Sequence, residues 1–254
     1  MIEQTNGRHS RFAAITFDVG ETLVRPYPSF GAAFGRVCRQ AGLRLSGAQA
    51  ITIEAALAKR LAEFQSAGRP IFDSIESSRG FWLGLYRGFF EELGFRLPDE
   101  LATELSETLY RAFSTSTSYR LFADARPALR AARRRGFRVG ILSNWEAWLT
   151  TLLADHRLDG LVDFSVISGI CGYEKPDARI FQLAADAAGV PPERILHVGD
   201  SLRSDAHGAR AAGLACVLLD RAGVHPDADC PRVATLRDLW ALLEPGGALG
   251  PEVG

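Results

Sequence analysis

Four short apolar runs, "FRVGILS" (137–143), "DFSVISG" (163–169), "RILHVGD" (194–200) and "ACVLLD" (215–220), recur at intervals that leave room for a helix between successive runs. Parallel strands need long crossovers, usually helices, and strands covered on both faces read as continuous β-rich stretches. Helices are expected near 124–135, 146–155, 177–188 and 203–212. An earlier run, 12–17 of "FAAITFDVGETL", is too little to be stable alone and must join the same sheet. After it, "RPYPSF" is a double-proline break that ends regular structure. Residues 29–113 then read as helices without a convincing strand. Leu101, Leu105 and Leu109 recur at i, i+4 and i+8, and "FWLGLYRGFFEELG" is aromatic enough for an interior helix. The polar tract "STSTSYR" (114–120) reads as a linker, and "EPGGALGPEVG" at the end reads as frayed. The expectation is therefore an α/β chain with a helical block inserted directly after its first strand.

The 254 residues suffice for one large domain or two modest ones. At 47% hydrophobic, 23% charged and net charge −1, the chain carries no electrostatic footprint for nucleic acid or an anionic membrane. Its polar start has no apolar core of the secretory kind, and "FWLGLYRGFF" is short and carries Arg87, so no span is expected. Cys38, Cys171, Cys216 and Cys230 show no C-x-x-C spacing and read as free thiols, which points to the cytoplasm. Only two of 29 basic residues are lysines, Lys59 and Lys175. A chain that otherwise uses arginine keeps lysine where a compact three-donor ammonium is wanted.

Ligands of an open parallel sheet bind outside the carboxyl ends of its strands. Asp18 and Thr22 follow the first strand, Ser143 and Asn144 the second, Lys175 the third, and Asp200, Ser201 and Asp205 the fourth. Each has an ordinary explanation alone: Asp18 as a turn cap, Ser143 and Asn144 as helix caps, Lys175 as a solvated loop residue, Asp200 and Asp205 as acids at a helix start. Together they make a set with a use. The carboxylates would attract Mg2+, a hard cation that favours carboxylates, waters and phosphate. Lys175 and Ser143 would surround a phosphate with it, leaving Asp18 to attack phosphorus.

These segments resemble, in order, the four motifs of the haloacid dehalogenase-like (HAD) hydrolase superfamily: "FDVGETL", "ILSN", "GYEKPDARIF" and "HVGDSLRSDAHGARAAG". The resemblance covers about residues 12–220. It implies a Rossmann-like, doubly wound parallel sheet core at 11–24 and 121–245, an all-helical cap at 25–120, and disordered tails at 1–10 and 246–254. It also implies a Mg2+-dependent hydrolase, a phosphatase acting on a small phosphorylated metabolite through an aspartyl-phosphate. Asp18, Lys175 and Ser143 would be catalytic; Thr22, Ser143, Asn144 and Lys175 would hold phosphate; Asp18, the Gly20 carbonyl, Asp200 and Asp205 would hold the metal. The partner is then a small-molecule substrate, with neither nucleic acid nor membrane. Substrate choice would come from the cap, with "RGFWLGLY" as the candidate segment or as plain cap core.

One departure stands out. Phosphatases of this family place a second Asp two residues after the nucleophile as general acid and base, and this chain has Gly20 there. Glu21, a cap residue or a substrate group are the possible replacements. Relatives lacking that Asp suggest other chemistries. The 2-haloacid dehalogenases depart from the fourth motif that this chain keeps, and phosphonoacetaldehyde hydrolase needs a cap lysine, for which Lys59 is the candidate. A Mg2+-binding protein with decayed catalysis, serving as a binding or regulatory partner, is the non-enzymatic alternative.

Overall fold

The computed structural model describes residues 10–66 and 70–251. The chain forms two compact units, one made of Arg25–Arg120 and the other of the segment up to Val24 with Leu121 onward. It starts with β1 (Ala14–Phe17), buried at every residue, turns, and forms β2 (Val24–Pro26).

The first unit is built from α1 (Phe30–Gln40), α2 (Gly47–Ser66), α3 (Ile75–Glu92) and α4 (Asp99–Phe113). Ser29 and Ser74 cap α1 and α3, their side chains accepting from the N–H groups of Ala32 and Ser77. The aromatic stretch of α3 supplies the interior: Phe81, Tyr86, Phe89 and Phe90 are buried with Phe30, Phe34, Leu105 and Leu109. Phe30 stacks on Phe113 with ring centroids 4.6 Å apart. These rings hold the unit together, which is the plain-core alternative for that segment. Lys59 lies on α2 with its side chain 77% exposed, 3.8 Å from Glu63 one turn on. It lacks the desolvated surroundings that a Schiff-base amine requires.

β3 (Tyr119–Leu121) returns to pair with β2 as a two-stranded ribbon. The tract at 114–120, expected to be a plain linker, thus ends in a strand, which its run of hydroxyl residues conceals.

The second unit continues with α5 (Ala125–Arg134), β4 (Arg138–Ser143), α6 (Leu149–Asp155), β5 (Phe164–Ile167), α7 (Ser168–Cys171) and α8 (Ala178–Ala188). After these come β6 (Ile195–Gly199), α9 (Gly208–Ala211), β7 (Ala215–Leu219), β8 (Arg232–Val233) and α10 (Leu239–Leu243). The strands pair in parallel in the order β5-β4-β1-β6-β7-β8, a Rossmann-like sheet wound outward from β1 in both directions. Phe17 pairs with Ile141 of β4 and Val198 of β6, so Asp18 leaves the sheet at the point where the winding reverses.

Differences from expectation are local. The helix expected at 203–212 is a wide π-type turn over Leu202–His207 followed by the short α9. The two-residue β8 carries no readable alternation. Of the expected tails, 1–9 and 252–254 lie outside the described residues. Within 246–251 the chain is tied down: Leu249 is buried and its N–H donates to Leu242 O at 2.8 Å. A single apolar residue among glycines and prolines is enough to anchor it.

Arg221, just past β7, fixes the turn after β1. Its guanidinium donates to both oxygens of Asp124 (2.9 Å each), to Thr22 O (2.9 Å) and to Glu21 O (3.3 Å), and covers the Phe122 ring at 3.9 Å. Asp124 also accepts from Leu236 N–H at 2.9 Å. Burial pushes the Asp124 carboxyl up, but the bonds from Arg221 and Leu236 outweigh it and hold the pKa below the usual value. Arg221→Gln is expected to lower the free energy of unfolding by about 2–3 kcal/mol, measured by urea titration. Arg221→Lys should recover only part, because an ammonium does not match the carboxylate fork. A lowered folded pKa contributes stability that is present near neutrality and lost as pH falls through it. The gap between wild type and Arg221→Gln should therefore narrow in acid.

Candidate active site

Lys175 organises the strand ends. It is 2% exposed, and its ammonium spends three donors on Asp18 Oδ1 (2.8 Å), Asp205 Oδ1 (2.5 Å) and Leu142 O (2.9 Å). Asn144 holds the lysine's backbone through both its N–H and its C=O. Its Nδ2 donates to Lys175 O (2.8 Å) and its Oδ1 accepts from Lys175 N–H (2.7 Å). The Asn144 amide, expected on sequence grounds to face phosphate, thus also places Lys175, with one Nδ2 hydrogen and Oδ1 engaged there. Asp18 is set by the sheet itself, its N–H donating to Val198 O at 2.9 Å.

Asp205 rises from the wide turn after β6. Besides Lys175, its Oδ1 receives His197 Nε2 at 2.9 Å, and its Oδ2 accepts from Ser201 N–H at 2.9 Å. His197 is fully buried, and its Nδ1 lies 2.9 Å from Thr16 Oγ1. An ionised Asp205 only accepts, so the imidazole proton belongs on Nε2, and Nδ1 accepts from the Thr16 hydroxyl. Gly199 makes the approach possible: a Cβ there would lie 2.2 Å from Asp205 Cγ. Thr22, buried completely, donates from Oγ1 to Asp200 Oδ1 at 3.2 Å. Ser143 is 1% exposed, and its Oγ, next to the Asp18 carboxylate, makes no hydrogen bond of good geometry among the described residues.

The charges do not balance. Oxygens of Asp18, Asp200 and Asp205 lie within 4.8 Å of one another, against the one ammonium of Lys175. Burial raises the Asp18 pKa, with Asp205 adding to it and Lys175 opposing. Asp200 is raised well above the ordinary value by burial and by the carboxylates of Asp18, Asp205 and Glu21. Burial raises Asp205 too, but Lys175 and His197 more than compensate and leave it lowered. For Lys175, burial is overcome by Asp18 and Asp205, so its pKa rises. Buried oxygen donors in negative excess fit a hard divalent cation, which would favour the ionised forms of Asp18 and Asp200. The Gly20 carbonyl, which accepts from Thr22 N–H at 2.6 Å, retains a lone pair and is a possible further donor.

Of the residues expected from sequence, Asp18, Ser143, Asn144, Lys175, Thr22, Asp200 and Asp205 come together at the ends of β1, β4 and β6 or in the segments that follow β1, β4, β5 and β6. Glu21 sits in the turn after Gly20 with φ +52, a left-handed conformation uncommon for a residue with a side chain. Sequence reasoning passed over Thr16 and His197. The signal was present, as two polar side chains interrupting apolar strands.

A family model described as haloacid dehalogenase-like hydrolase matches residues 12–213. Haloacid dehalogenase-like hydrolase domain-containing protein 3 of Bos taurus is 32% identical over 214 residues, 84% of this chain and 82% of that protein. A phosphoserine phosphatase of Thermus thermophilus is 36% identical over 149 residues, 56% of this chain and 55% of its own length. In fold, the chain resembles the HAD hydrolase YfnB of Bacillus subtilis, solved with magnesium. That likeness has a TM-score of 0.75 at 19% identity, covering 92% of this chain and 100% of the other. The matched span contains every strand end that builds the site, and the chain belongs to the haloacid dehalogenase-like hydrolase family.

Proposed function

We propose that the protein is a Mg2+-dependent phosphatase for a small phosphorylated metabolite, working through a phosphorylated Asp18. The observation that carries this reading is the Asp18 carboxylate held at the switch point of the sheet by a buried ammonium, with the Ser143 hydroxyl beside it. A carboxylate pushed toward protonation by burial is a poor nucleophile, so cations must counter the shift. Lys175 supplies one. Bound Mg2+, held by Asp18, Asp200 and the Gly20 carbonyl, would supply the second charge and polarise the phosphoryl oxygens. Asp205, its oxygens occupied by Lys175, His197 and Ser201, acts on the site through Lys175.

An Asp18 oxygen forms the bond to phosphorus as the bond to the leaving oxygen breaks, and the leaving group departs with that electron pair. Ser143 donates to a phosphoryl oxygen, and Asn144 keeps Lys175 in place. Water then attacks phosphorus, releasing phosphate and restoring Asp18. The leaving oxygen needs a proton in the first step and the water must lose one in the second. Gly20 serves neither, and positioned acid–base catalysis is worth about 10²–10⁴-fold. Groups that leave readily as anions are therefore the natural substrates.

Steady-state rates across a series of esters test this. With Mg2+, aryl phosphates should turn over and alkyl phosphates should be slower by about 10²–10⁴-fold, with both activities lost in Asp18→Asn. A flat dependence on the leaving group would show that another residue, Glu21 first, supplies the proton. Absence of Asp18-dependent turnover would favour a binding role. Removing divalent ions with a chelator should abolish turnover, and adding Mg2+ back should restore it. Mg2+ should also raise the thermal midpoint of the wild type and not of Asp200→Asn, since only a folded site binds it.

A further inference from the structure

Gly20 is not open space. A Cβ built there would lie 3.3 Å from Cζ3 of Trp145, tighter than nearly all real contacts of that kind. The Trp145 backbone is held from several sides. Trp145 N–H donates to Ser168 Oγ at 2.9 Å, and its carbonyl accepts from Gly169 N–H at 2.9 Å and from Ser168 Oγ at 3.2 Å. The strand-end backbone closes in as well, since a Cβ on Gly169 would come within 2.9 Å of Trp145 O. Trp148 packs edge-on against the ring, centroids 5.5 Å apart at 73°, and its own Nε1 donates to Glu146 Oε2 at 3.0 Å. With its backbone fixed and Trp148 against the ring, Trp145 keeps its indole close to position 20.

We propose that Trp145 determines which leaving groups the site accepts. Its indole crowds the space that a side chain at position 20, two residues after Asp18, would enter, and in its place offers a flat apolar surface to the substrate. A surface of that kind favours a planar aromatic group over a hydroxylated alkyl one. Aryl leaving groups are also the ones that depart without a donated proton. One residue thus accounts both for the missing acid and for the class of ester that does not need it. This deepens the phosphatase reading and rests on Asp18 as the reacting group.

The first test is a thermal double-mutant cycle on Gly20→Ala and Trp145→Ala. Gly20→Ala should lower the midpoint by about 2–4 °C in the wild type and have no effect beside Trp145→Ala. Additive shifts would overturn the steric pairing. The second is calorimetric binding of phenyl phosphate and ethyl phosphate, with Mg2+, to Asp18→Asn, which needs no turnover. Phenyl phosphate should bind about tenfold tighter than ethyl phosphate, and Trp145→Ala or Trp145→Leu in that background should remove the preference while leaving ethyl phosphate unaffected. An unchanged ratio, or equal loss for both esters, would overturn the assignment. Failure of the phosphatase reading would show separately, as absent turnover in the wild type.

Discussion

A single ammonium, buried and fully engaged, is the constraint on which the site depends. Removing a lysine head group from water is tolerated only where acceptors surround it, and Lys175 finds three: Asp18, Asp205 and the carbonyl of Leu142. Those acceptors come from the ends of β1 and β4 and from the turn after β6, so one side chain ties together the elements flanking the switch point. Much of the neighbouring detail serves it. Asn144 sets its backbone, His197 and Ser201 orient Asp205 toward it, and Gly199 lets Asp205 come close.

The same cluster carries more negative than positive charge. Burial, reinforced by three carboxylates around one ammonium, leaves Asp18 and Asp200 biased toward protonation, a state of little use for nucleophilic attack. A site built this way carries uncompensated negative charge, which a divalent cation would offset. Arg221 works on a different problem. Its guanidinium binds the carbonyls of Glu21 and Thr22 together with Asp124, so the turn that follows Asp18 is fixed from behind by an ion pair outside the cluster.

Much of this is legible in the sequence alone. The apolar runs gave the strands because parallel strands buried on both faces leave no polar positions to confuse the pattern. The site residues were legible because each marks where such a run stops or lies in the loop that follows. What escaped was direction and distance. Asn144 lies at a strand end as expected, yet its amide turns toward Lys175, a choice that depends on a loop 31 residues later. Thr16 and His197 pair across two strands far apart in sequence. Arg221 reaches a turn some 200 positions earlier. Gly20 looked like a bare loss of an acid, and only the fold brings Trp145 against it.

The central claim is that Asp18 becomes phosphorylated. The direct measurement is a rapid quench of the wild-type protein mixed with an aryl phosphate and Mg2+. Borohydride reduction, which converts a phosphorylated aspartate to homoserine, and peptide mapping by mass spectrometry follow. Homoserine at position 18, absent without substrate, is the predicted result. Phosphate release with Asp18 unmodified at every time point, or the modification appearing on another carboxylate, would contradict it.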